Sequence, residues 1–539
     1  MSENGRKRFG TRRIAVLACI AVLAAGLAGC GGDGGHGYTE LLFTSDRLTV
    51  STYSVAGGVP TLRDTTLIPG IPGTYTRAGN LVTVTMQKHN VPDGYKVQLD
   101  FFAGTGGTAT DGIYVVTVVD ADTFTIDDPA AGAITGGTLL RSPSVLLGAT
   151  YVQAVNVVTI TLAGHGLQSG DTVALDYTSG GAVDDDVEID TVIDADTFTV
   201  LADAPLATNG DVNVTVGGNY TIFGFAMHPS GQWLYVTSQY DCYNGEPYCW
   251  GGDLISRFAI NWGNGTLTFE ESYRTSDDPA VDVSEPSPVT LVFSADGLHL
   301  FHQDDDLDGL RMWDCDPVTG ALTLVANSGA DTTGQHGIAV ADDGSRVYHG
   351  TTVFTVGVAS LTEIPGGASG EANQILAGTM FAIIGGGNTA QLQAYSLVDP
   401  DLPVLLAASL DTPNRARDFA LAQGGALIVA SGFGGLKSYT YDGANIVPAV
   451  GVGSTELSDG GLPFPVGNVL ARVYRTISIN AAEDLVAAAY FTNDPDAGTG
   501  GVPPSGFILA NVAADGSLTL AGDFPSASYA RVARFYQKP

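Results

Sequence analysis

The segment FGFAMHPSGQWLYVTSQY, residues 223–240, reads as an apolar strand, a polar turn on Pro229, Ser230 and Gly231, and a second apolar strand. The same shape returns as VTLVFSADGLHLFHQDD (289–305), HGIAVADDGSRVYHGTT (336–352), RDFALAQGGALIVASGF (417–433) and YRTISINAAEDLVAAAYF (474–491). GTMFAIIGGGNTAQLQAYSLV (378–398) is a fainter sixth copy. Several copies run on into a third strand and a hairpin, as in NWGNGTLTF (261–269) and DPVTGALTLV (316–325), giving four strands per unit. Four short strands repeated at roughly 50-residue spacing are the arithmetic of a β-propeller blade.

The seventh unit is divided between the chain ends. YARVARFYQKP (529–539) reads as a first strand without followers, and ELLFTSDRLTVSTYSVAGGVPTLRDTTLI (40–68) as three followers without a first strand. Joined, they complete a unit and remove an exposed sheet edge. The expected fold is all-β: a seven-bladed β-propeller closed by its N- and C-terminal strands. Residues 38–69 supply the split blade, and 219–539 the other blades and the closing strand.

A second repeat, about 75 residues long, lies between. YTRAGNLVTVTMQKHNVPDGYKVQLDF (75–101) aligns with YVQAVNVVTITLAGHGLQSGDTVALDY (151–177), and DADTFT occurs at 120–125 and again at 194–199. Alternating strands with Gly and Asp turns make each copy a small β-barrel or sandwich, residues 70–145 and 146–218, inserted after the split blade. The HGL..GD.V pattern at 165–173 resembles modules of phage tail and bacterial surface proteins, where such units act as spacers or adhesive knobs. His89 and His165 occupy equivalent places, but neither has a second His or Cys at ligand spacing, which favours a turn histidine over a metal ligand.

Composition agrees with this plan. The 539 residues include 71 Gly and 25 Pro, and 44 % are hydrophobic, enough for a folded core. The 23 Lys and Arg stand against 57 Asp and Glu, a net charge of −34. A surface this acidic repels phosphate backbones, so nucleic acid is not an expected partner.

The N-terminus reads as an export signal: Arg6, Lys7, Arg8, Arg12 and Arg13, then an apolar run from Ile14 to Leu27. That run of 14 residues is shorter than the roughly 20 needed to span a bilayer. Leu27-Ala28-Gly29-Cys30 resembles the lipobox of bacterial lipoproteins, which implies cleavage after residue 29 and lipidation of Cys30. Residues 30–37 would then be a lipidated Gly-rich tether. Gly31 and Gly32 after the Cys imply an outer-membrane address in a two-membrane cell by the family's sorting habit. Membrane association through the lipid and an envelope location are thus expected.

WLYVTSQY (233–240) with ISRFAINWGNGTLT (255–268), and LHLFHQDDD (298–306) with LRMWDCDPVTGALT (310–323), look like YVTN-type seven-bladed propellers, the superfamily that includes 6-phosphogluconolactonase-like lactonases. The motif specifies a blade and leaves the activity open.

Residues just before each first strand should ring a central channel, and here they include Glu285, Gln335, His336, Arg415, Arg417, Arg472, Arg475, Arg531 and Arg534. Arginine offers paired planar donors to carboxylate or phosphate, so Arg415, Arg417, Arg475 and Arg531 are candidates for an anionic small ligand. The competing reading pairs each Arg with a neighbouring acid, such as Asp418, and makes it a staple between blades. The lactonase resemblance implies that His336 or Glu285 would activate water and an Arg would hold the oxyanion.

Asp304, Asp306, Asp308 and Gly309 spell D-x-D-x-D-G, the opening of a calcium loop, but Cys315 stands where the closing Glu belongs, and an exposed hairpin is the alternative. No other cofactor is indicated. Cys242 and Cys249 flank a short loop in an exported chain and are expected to form a disulfide, leaving Cys315 unpaired. Three functional readings remain open: a lipid-anchored propeller binding an anionic ligand or an envelope protein, an exported lactone hydrolase, and an adhesive or structural surface protein.

Overall fold

The computed structural model describes residues 37–539 apart from 47–48, 69, 87–88, 90, 143, 184, 243–253, 276–289, 304–308, 329–336, 350, 365–369, 385–390, 410–413, 434, 450–455, 459–471, 493–504 and 527–529. Among the described residues the chain is nearly all strand, with one single-turn 3-10 helix at Gln423–Gly425.

Glu40–Asp46, Thr49–Ala56 and Val59–Leu67 form a four-stranded sheet with the C-terminal strand Ala533–Gln537, which pairs antiparallel with Glu40–Asp46. Glu40 opposes Gln537 and Thr44 opposes Ala533. At one end of this ladder Lys538 N–H donates to Thr39 O, at 2.8 Å. At the other, Ser45 Oγ accepts the N–H groups of Arg531 (3.1 Å) and Val532 (2.9 Å). These two strands thereby satisfy each other's backbone groups instead of leaving an edge.

Two small β-units follow. The first is a seven-stranded sheet from Ile71–Ala78 to Ile134–Arg141, and the second is built from Ser144–Thr161, Thr172–Tyr177, Asp185–Asp194 and the start of Thr197–Met227. Buried side chains of both, among them Tyr75, Phe124, Tyr151 and Phe198, belong to one continuous apolar core. Thr197–Met227 is a single strand that pairs with Ser144–Thr161 and then with Trp233–Cys242, so no linker separates the second unit from the sheet that follows.

His89 and His165 are turn residues in both units. Each ring Nδ1 accepts a backbone N–H two residues on, from Val91 and Leu167, both at 3.0 Å. Each Nε2 donates to a carbonyl in the repeated DADTFT segment, Asp120 O at 2.9 Å and Asp194 O at 3.1 Å. With both nitrogens engaged, the rings have no lone pair left for a metal.

The remaining chain forms further antiparallel four-strand groups. Met227 leads into Trp233–Cys242, Leu254–Asn261 and Thr266–Arg274. Next come separate sheets from Leu291–Phe293 to Leu322–Asn327, from Ile338–Val340 to Ser360–Ile364, and from Gly370–Leu376 to Val404–Ala408. Two last groups, begun by Asn414–Ala422 and Arg472–Ile479, are joined by one bridge between Phe433 and Val473.

Each strand turns alternate side chains to its two faces, and neighbouring sheets interlock there. Trp233, Tyr235 and Ile255 pack against Leu300, Trp313 and Leu322 of the next sheet, whose other face sends Phe301 and Met312 against Val347 and Phe354. Burial of each such side chain contributes about 1.5–3 kcal/mol. The turns set the spacing: Gly320 has φ +70°, and a Cβ there would lie 2.7 Å from the Trp233 ring.

Candidate functional site

A cavity of about 620 Å³ lies where the first strands converge. Its walls come from seven strands: Thr197–Met227, Leu291–Phe293, Ile338–Val340, Gly370–Leu376, Asn414–Ala422, Arg472–Ile479 and the stretch around Ala533–Gln537. Each is the first strand of its four-strand group in chain order, except the C-terminal one, which takes that place beside Glu40–Asp46. Most of the lining residues are apolar, aliphatic and aromatic together; the charged ones among those described are Arg417, Asp418, Arg531 and Arg534.

Two sequence-derived candidates, Arg417 and Arg531, therefore line the cavity, both half-buried. The Arg531 guanidinium sits 3.8 Å from the centroid of the Phe223 ring, a cation–π contact that fixes its plane. Its backbone is anchored by Ser45 and by Thr476, whose Oγ1 donates to Arg531 O at 3.1 Å and accepts the Ala533 N–H at 2.9 Å.

Arg534 follows the stapling alternative. Its Nη2 meets Asp418 Oδ2 at 2.9 Å and its Nη1 donates to Ile477 O at 3.2 Å. Asp418 also accepts the N–H groups of Ile477 (3.1 Å) and Phe419 (2.9 Å). Burial raises the Asp418 carboxyl above the usual carboxylate range, against the opposing pull of Arg534. One acid and one base thus tie together three of the strands around the cavity. Tyr536 adds a fourth link: its hydroxyl donates to Phe225 O at 2.8 Å, and burial pushes its pKa up to about 12.

Arg415 and Arg475 lie on the strands Asn414–Ala422 and Arg472–Ile479, with side chains outside the described residues. His336, Glu285, Asp304, Asp306, Asp308, Cys30 and Cys249 fall outside the described residues, as does the side chain of Cys242. Gly337, directly after His336, lines the cavity. Among the described residues Cys315 is a buried free thiol, and no group of three His, Cys, Asp or Glu could hold a metal ion.

Phe223, Thr476 and Tyr536 were not singled out in the sequence. Phe223 carried one usable signal: it opens the best-formed repeat, two residues ahead of Phe225, and so stands at the entrance position.

No protein-family profile and no curated protein matches the chain. Solved structures similar to it include the hydrazine synthase of Kuenenia stuttgartiensis, at 14 % identity and TM-score 0.33 over 43 % of this chain and 67 % of that one. The periplasmic gluconolactonase of Pseudomonas aeruginosa is 13 % identical at TM-score 0.36, over 53 % of this chain and 95 % of its own. A chain of a nidogen/laminin complex is 9 % identical at TM-score 0.30, over 72 % and 99 %.

Proposed function

We propose that the chain is a lipid-anchored envelope protein whose seven-bladed propeller, carrying the two units of residues 70–218, binds a small anionic ligand at the mouth of its central channel. The observation behind this reading is that Arg417 and Arg531 both line one 620 Å³ cavity in a chain of net charge −34. Cations placed in such a surround recruit a carboxylate or phosphate locally, and a guanidinium held flat by an aromatic ring has already lost part of its conformational freedom. A sugar acid suits the size and the mixed lining, which offers donors at the Arg edge and apolar wall elsewhere.

Calorimetric titration of the full chain with gluconate, and with glucose as the uncharged control, tests this. Binding of gluconate alone, weakened about 10–100-fold in Arg417→Gln or Arg531→Gln, is expected for the loss of one charge-assisted pair. Equal affinity for the two sugars, or no change in the variants, refutes it. Turnover of a δ-lactone that vanishes in His336→Ala would assign hydrolysis to the same channel.

A further inference from the structure

Tyr38 and the most exposed apolar side chains share one face of the molecule. In each four-strand group the second and fourth strands return antiparallel to the first and third. Turns joining strands one to two and three to four therefore lie at one end, and the residues that precede the first strands lie at the other. Glu40 pairs with Gln537 at the turn end, whereas Ser45 reaches Arg531 at the entrance end. The Tyr38 N–H donates to Trp262 O at 2.7 Å, in the turn between Leu254–Asn261 and Thr266–Arg274. Tyr38 thus lies on the face opposite Arg417 and Arg531, eight residues after Cys30 in the sequence. Residues 31–37 can span about 25 Å when fully extended.

Val398, Val358 and Val318, at 94 %, 93 % and 81 % exposure, are the three most exposed large apolar side chains among the described residues. All three sit in turns between third and fourth strands, on three successive sheets, and Leu402 (64 %) accompanies Val398. Val59 (64 %) opens the fourth strand of the sheet closed by the C-terminus, at the same end as the other third-to-fourth turns. Acids in these turns are held by their own turn or by the neighbouring sheet. Asp316 Oδ1 accepts the N–H groups of Val318 and Thr319, both at 2.8 Å, and Asp401 pairs with Arg346. The valines are what project.

We propose that this face rests on a lipid surface, with Val318, Val358, Val398 and Leu402 entering the interfacial layer and the arginine-lined mouth turned away from the bilayer. The assignment rests on the reading of Cys30 as lipidated. A few valines bind a bilayer weakly on their own, but a tether of this length keeps them at high effective concentration against it. Since the chain is strongly acidic, the fitting surface is zwitterionic, and anionic lipid should loosen the contact.

The test is hydrogen exchange on the full lipidated protein in phosphatidylcholine vesicles, beside a Val318→Asp/Val358→Asp/Val398→Asp variant anchored in the same way. Amides of 316–320, 357–360 and 397–403 are expected to exchange several-fold more slowly in the parent than in the variant, while those of 152–157 match. An unchanged thermal midpoint would establish that the variant is folded. Equal exchange in the two anchored proteins overturns the surface assignment, and a mature Cys30 without lipid overturns the anchor reading instead.

Discussion

The Tyr95 hydroxyl donates a 2.5 Å hydrogen bond to Asp171 Oδ2, and these two residues hold the same place in the two copies of the internal repeat. The copies have diverged at one position so that its two versions meet across their shared interface. Lys96 Nζ adds a 2.7 Å bond to Ala163 O nearby, and a Cβ on Gly166 would stand 2.6 Å from Gly94 O. Tyr95 and Asp171 are both buried, so the bond forms where water cannot replace it.

Tyr95→Phe should therefore destabilise the paired units by about 1–3 kcal/mol, since it leaves a buried carboxylate one donor short. Urea unfolding measures this. Asp171→Asn, which keeps an acceptor, should lose less; equal losses would mean that packing, not the hydrogen bond, couples the units.

His302 gives a pH signature. It is fully buried, accepts the Trp313 Nε1–H at 3.1 Å, and burial lowers its pKa from 6.5 to about 3, with Arg311 adding to the effect. The unfolded chain binds this proton at higher pH than the folded one, so the contribution is present above pH 6.5 and is lost as pH falls toward 3. The slope is at most about 1.4 kcal/mol per pH unit. His302→Gln should flatten the fall in unfolding free energy between pH 6.5 and 4.5 by comparison with the parent; parallel curves would remove His302 as a source.

Val155 stands at φ +60° and is 66 % exposed, while its repeat counterpart Gly79 has φ +68°. A β-branched residue in this left-handed region is strained by about 1–2 kcal/mol, and glycine is not. After allowing about 0.5–1 kcal/mol for glycine's greater freedom when unfolded, Val155→Gly should raise stability by up to about 1 kcal/mol. Gly320→Ala should do the opposite, losing about 2–4 kcal/mol, because it combines this strain with a clash against Trp233. Thermal midpoints of the two variants should move in opposite directions.

Ser45 connects the closure of the chain to the cavity. Ser45→Ala strips the side-chain acceptor from the Arg531 and Val532 amides and should cost about 1–3 kcal/mol. Gluconate affinity should fall as well, because the same contact positions Arg531. A stability loss with unchanged affinity would place Ser45 in closure alone.

The strand-turn-strand units, their four-strand grouping and the internal repeat were legible in the amino-acid order because they are written locally. Side chains alternate every two residues, and turns need Gly, Asp or Asn at fixed places, as at Gly231 and Gly297. The pairing of the two chain ends was also legible, since an unmatched first strand and three unmatched followers complete each other. Arg417 and Arg531 could be placed at the entrance by the same counting.

What the order of residues left undecided was the partner of each polar group. Arg534 and Arg531 looked alike as sequence, three residues apart at the head of one strand. Arg534 ended on Asp418 and Arg531 over Phe223, because strands distant in the chain delivered an acid to one and a ring to the other. Tyr95 and Asp171, and the valines on the face that carries Tyr38, acquired their meaning the same way. A strand's local pattern decides which way a side chain points, but only the closing of the sheets around one another decides what it meets.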